Sequence, residues 1–184
     1  MSENTYDSKN LNQLPFLEID IEQGLKLRQL QVEQAEDLYN LTVSNYDHII
    51  EWVPFPGLTH SSEDSRKFIE SKLDERKRGK GYGYGIELDG KLIGHIEVRN
   101  IQDEEKDPEI GYWIIADEAG KGITTKATVA MSDFGIQTLG LNKIIIRAHP
   151  GNIASNKVAE KAGYTLSYTE EDHEGPWNVW VLAK

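Results

Sequence analysis

The chain has 184 residues, a formal net charge of −11 at neutral pH and no cysteine. That length suits one domain with its own core, and the missing thiol excludes a cysteine nucleophile, a disulfide scaffold and cysteine-based zinc sites. The acidic balance speaks against nucleic-acid binding and favours amines or basic polypeptides as partners.

The five histidines form no metal-like spacing, so no metal is expected. No apolar run is long enough to span a membrane, and the polar start Met1 to Gln13 lacks a signal-peptide pattern. A soluble cytoplasmic protein without membrane partners is therefore expected.

Residues 1–16 lack periodicity and read as a flexible extension, with residues 17–184 forming the single domain. Leu17 to Leu30 contains two alternating segments joined by a turn at Gly24, which predict paired strands. From Val32 the spacing becomes helical through Leu41. A second short helix near Tyr46 to Trp52 stops at the loop Val53-Pro-Phe-Pro-Gly57.

Ser61 or Ser62 can cap a helix starting at Glu63, whose basic end, Lys72, Arg76, Lys77 and Arg78, is expected in solvent. Tyr82 to Leu88 and Lys91 to Asn100 flank Asp89-Gly90, a strong hairpin signal. A polar turn then leads to the strand Glu109 to Ile115.

That strand breaks into a turn bearing Gly120 and Gly122, which opens into a helix presenting Ile123, Ala127, Ala130, Met131 and Phe134 on one side. Helix starts leave backbone N–H groups unpaired and carry the positive dipole end, so this turn is suited to phosphate. It fits neither the dinucleotide fingerprint, since Thr125 stands at the third glycine, nor the Gly-Lys-Ser/Thr nucleotide loop. A strand from Asn142 to Ala148 follows, then a short helix between Asn152 and Gly163. Two strands, Tyr164 to Tyr168 and Trp177 to Ala183, close the chain around a polar loop. The order is α/β without repeats.

Glu109-Ile-Gly-Tyr-Trp-Ile, Gly120-Lys-Gly-Ile-Thr-Thr and Asn152-Ile-Ala-Ser-Asn-Lys-Val-Ala-Glu-Lys-Ala-Gly-Tyr164, together with the early Leu27-Arg-Gln-Leu, resemble the GNAT superfamily of N-acyltransferases. Within it the chain is similar to the Rim branch, which acetylates N-termini of ribosomal proteins. The resemblance spans roughly Leu25 to Leu182. It implies an acyl-CoA N-acyltransferase fold: a mixed, mostly antiparallel twisted sheet with helices on both faces and two central strands splayed to admit acetyl-CoA.

The resemblance also implies which residues hold that cosubstrate: Trp113, Ile114 and Ile115 on the strand, Gly120, Lys121, Gly122, Ile123, Thr124 and Thr125 around the turn, and Asn152 with Ser155 on the last helix. The family turn reads Gln/Arg-x-x-Gly-x-Gly/Ala, and Ala119 and Thr124 depart from it. Backbone donors survive both changes.

Transfer to an amine needs a proton acceptor, for which Glu109 is the first candidate and Glu97 the reserve. A backbone amide at a break in pairing, with Ile115 leading, can stabilise the negative oxygen that develops. The family's usual tyrosine on the last helix falls on Ala159; the Rim branch instead has the pattern Asn-x-x-Ser there, which Asn152 and Ser155 match, and this resemblance implies Ser155 as the candidate proton donor to the leaving thiol. Tyr46, His48, Trp52 and Phe55, with the late acidic loop from Glu170 to Trp177, are expected to choose the acceptor.

These readings imply an acetyl-CoA-dependent N-acetyltransferase acting on a protein N-terminus. Two alternatives stand beside it: transfer to a small amine such as an antibiotic, polyamine or amino acid, and a non-catalytic acyl-CoA-binding regulatory protein. A homodimer fits the Rim resemblance.

Overall fold

The structure, a computed structural model, describes residues 18–53, 59–173 and 175–184. The expected N-terminal extension therefore lies outside the described residues. Eight strands form one sheet in the order β1-β2-β3-β4-β5-β6-β8-β7. Strand β1 (Glu18–Glu22) and strand β2 (Leu25–Arg28) make the first hairpin around Gly24, whose φ of 80° suits glycine.

Helices α1 (Ala35–Ser44), α2 (Tyr46–Ile50) and α3 (Ser62–Lys77) follow. Ser61 caps α3, its hydroxyl accepting from the Asp64 amide at 3.3 Å. Strands β3 (Tyr82–Leu88) and β4 (Lys91–Arg99) pair through Asp89-Gly90, both at positive φ as a tight hairpin turn requires. Strand β5 (Glu109–Ile114), helix α4 (Ile123–Asp133), strand β6 (Lys143–Ala148) and helix α5 (Ile153–Lys161) lead to β7 (Thr165–Asp172) and β8 (Gly175–Ala183).

Alternation divides the sheet between two cores. Tyr82, Tyr84, Ile96, Val98 and Ile110 pack with Met131 of α4 and with Phe134 just beyond its end, the Phe134 ring meeting Tyr82 edge-on at 5.5 Å. On the opposite face Trp113 joins Leu38, Ile49 and Ile69 from the first three helices. Every neighbouring pair is antiparallel except β5 with β6.

Two expectations are corrected. The stretch from Glu170 to Trp177 is not a free acidic loop: β7 runs on to Asp172, pairing Glu170 with Trp177 and Glu171 with Pro176. Arg147 on β6 clamps it, holding Glu170 at 2.9 Å and bonding Asp172, so two of its carboxylates are already neutralised. Lys72 is likewise no solvated helix end, because its ammonium lies 2.8 Å from Glu97 and 3.1 Å from Glu75. Among the described residues no helix is long and apolar enough to cross a membrane.

Candidate active site

Strands β5 and β6 share one register pair, Glu109 with Ile145, backed by the Ile145 amide donating to the Pro108 carbonyl at 2.8 Å. Beyond it they part. On its other edge β5 pairs with β4 over six consecutive residues without a bulge, and the Ile115 amide continues that ladder to the Ile93 carbonyl at 2.9 Å. The expected break in pairing at Trp113 to Ala116 is therefore missing on the β4 side, and the Ile115 N–H is already spent. Successive residues of an antiparallel strand aim their N–H groups to opposite edges. Ile115, Trp113 and Gly111 face β4, so the amides of Tyr112 and Ile114 look into the gap.

The gap is one end of a cleft of ≈1800 Å³ that passes the start of α4. There Gly120 and Gly122 adopt φ of 76° and 81°, and a Cβ on either would meet nothing within 4 Å. Glycine is needed for the turn, and the space above it stays open. Gly120, Gly122, Thr124 and Thr125 line the cleft. Ile123 sends its side chain into the core, leaving only its amide for a ligand, and Lys121 pairs outward with Glu118 at 3.1 Å.

Helix α5 starts at the far wall. Asn152 caps it, its Oδ1 accepting from the Ser155 amide at 3.0 Å. The Ser155 hydroxyl is 3.0 Å from the Tyr112 hydroxyl, while Ala159 is fully buried. Burial pushes Tyr112 up to about 12, against the Ser155 hydrogen bond, which lowers it. Sequence reading missed Tyr112 because it lies 43 positions from Ser155 on another element. Its only sequence signal was its place beside Gly111 in the motif strand.

Both carboxylate candidates stand on the opposite face of the sheet from Tyr112, tied through Arg99. Glu109 is buried and accepts from the Arg99 guanidinium at 2.7 Å; Glu97 lies 3.6 Å from that guanidinium and 2.8 Å from Lys72. Burial opposes the charge on Glu97, yet the positive groups around it, His95 when protonated, Lys72 and Arg99, hold its carboxyl below the usual range. Burial drives His95 down to about 4, so it is neutral at pH 7, and its Nε2 has no hydrogen-bond partner among the described residues. Between the carboxylates Gly111 leaves a notch: a Cβ there would find its nearest heavy atoms at 3.9 Å.

His48 and Trp52 border this end of the cleft, Trp52 lying 5.6 Å from the His149 ring. Tyr46 points to solvent at 41% exposure and does not form the wall, and Phe55 lies outside the described residues. One cleft thus joins an amide-lined helix start, a gap between strands, a hydroxyl pair and a carboxylate-flanked notch.

Known proteins share this arrangement of elements. The ribosomal-protein-serine acetyltransferase of Escherichia coli (strain K12) is 28% identical over 148 residues, 80% of this chain and 83% of that one. YdaF of Bacillus subtilis (strain 168) is 31% identical over 145 residues, 78% and 79% of the two chains. A RimL structure, the ribosomal L7/L12 alpha-N-protein acetyltransferase in complex with coenzyme A, superposes with a TM-score of 0.85 at 22% identity, covering 91% of this chain and 98% of that one. Residues 24–165 match the Acetyltransferase (GNAT) domain, and the chain belongs to that family.

Proposed function

We propose that this protein binds acetyl-CoA and transfers the acetyl group directly to a primary amine, the α-amine of a polypeptide. The observation that carries the reading is the single-pair junction of β5 and β6 opening beside the start of α4. The amides of Ile123, Thr124 and Thr125 suit a pyrophosphate, and those of Tyr112 and Ile114 suit an extended amide-bearing arm. The relative in Escherichia coli is named for ribosomal-protein-serine acetylation.

The chemistry follows from the two faces of the gap. On one, Glu109 or Glu97 receives the proton of an amine held over Gly111. On the other, Ser155 faces the departing sulfur, and the Ile114 amide is offered to the oxygen that becomes negative. No cysteine is present to carry the acyl group itself.

An α-amine, with a pKa near 7.8, is about one-seventh free base at pH 7, whereas a lysine amine is free in only about one molecule in 2500. Carboxylates are weak bases, so they suit the former. The test is calorimetric melting with excess acetyl-CoA followed by thiol release on peptides and polyamines. A rise in Tm equivalent to about 2.7 kcal/mol at a hundredfold excess over Kd is expected, with release on peptide N-termini. No rise would defeat the reading, and release on polyamines alone would move the acceptor to small molecules.

A further inference from the structure

The last helix carries Ala159 where the family resemblance leads one to expect a thiol-facing tyrosine, and one turn earlier on that helix a tyrosine hydroxyl from β5 meets Ser155. We propose that Tyr112 is a positioning residue for the leaving thiolate, acting through Ser155. The inference rests on the acetyl-CoA reading above.

Four observations carry it. The Tyr112 hydroxyl touches both the Ser155 Oγ at 3.0 Å and the Ser155 carbonyl at 3.2 Å. Tyr164, the nearby alternative, is bonded to Ser132 at 2.7 Å instead. Ser155 lies in the first turn of α5, its amide fixed by Asn152, and it lines the cleft. Tyr112 shares that cleft wall, its own amide facing the gap.

Tyr112 has a single hydroxyl hydrogen; given to the Ser155 Oγ rather than to the Ser155 carbonyl, it leaves the Ser155 hydrogen to point outward to sulfur. Aligned hydroxyls polarise one another, so the outer one becomes the better donor.

Magnitudes decide between donating a hydrogen bond and giving up the proton. A thiol ionises at about 8.5, and Tyr112 stands at about 12, so moving its proton to sulfur is uphill by about three and a half powers of ten. No proton passes along the pair. The amine nitrogen bonds to the carbonyl carbon, the C–S bond breaks with its electron pair staying on sulfur, and the amine proton goes to a carboxylate on the other face. The coenzyme leaves as a thiolate held by Ser155, which Tyr112 orients.

The experiment is ultraviolet titration of the coenzyme A thiolate in its complex with the enzyme, for wild type, Tyr112→Phe and Ser155→Ala. Wild type should lower the bound thiol's pKa relative to free coenzyme A. Tyr112→Phe should raise it by about one unit and cut kcat about tenfold, the size of one intramolecular hydrogen bond, with KM for acetyl-CoA within twofold.

A Tyr112→Phe titration and kcat equal to wild type overturns the proposal. So does a kcat loss explained entirely by weaker acetyl-CoA binding. If Tyr112→Phe does not fold, Ser155→Ala decides: it must raise the thiol pKa by a similar step, and an unmoved titration rejects the relay. Coenzyme A failing to shift the wild-type Tm rejects the acetyl-CoA reading itself, a distinguishable result.

Discussion

In the proposed chemistry Gly111 serves the reaction without serving the fold. Its backbone is ordinary strand, and a side chain there would meet nothing closer than 3.9 Å, so neither strain nor packing demands glycine. Gly111→Val should leave the Tm within a few degrees and acetyl-CoA binding intact, while amine turnover falls about a hundredfold or more, the cost of misplacing a reactant by an ångström. Parallel measurements of Tm and kcat check it. His95, two strand positions from Glu97, writes a different signature. Its pKa falls from 6.5 to about 4 on folding, so between those values the unfolded chain binds a proton that the folded one refuses. Stability is therefore lost as pH falls through that window, by about 2 kcal/mol between pH 7 and pH 5. Glu97, held below its usual range, adds loss in the same direction at lower pH. Urea midpoints at the two pH values should converge in His95→Gln.

Elements whose signals are local were legible before the structure. Asp89-Gly90 announced the β3–β4 turn, and Gly120 with Gly122 announced the helix start, because left-handed backbone is written in single residues. What was not legible depends on distant chain. Lys72 looked like a solvated helix end until Glu97, 25 positions on, came into reach, and β7 is lengthened by Arg147 and by its partner β8. Tyr112 and Ser155 meet only because the sheet and α5 are folded together. The glycine turn itself can be tested. Gly122→Ala and Gly90→Ala impose the same left-handed strain, about 1 kcal/mol each, with no steric clash at either. Both should lower the Tm alike, but only Gly122→Ala should weaken acetyl-CoA affinity, as titration calorimetry would read.

At the scale of the whole molecule the sheet is two smaller sheets, five strands on one side and three on the other, meeting at one register pair. The family resemblance anticipated that parting, and the antiparallel surroundings explain how it is tolerated: each half is complete through its own hairpins. Within the sheet, between its outer strands β1 and β7, the inner edges of β5 and β6 are left with backbone groups unanswered. A pantetheine arm laid between them offers the same alternating N–H and C=O groups as a polypeptide. The ligand then acts as an interior strand lent to the protein for the length of one catalytic cycle, and the product's departure reopens a seam through the middle of the sheet.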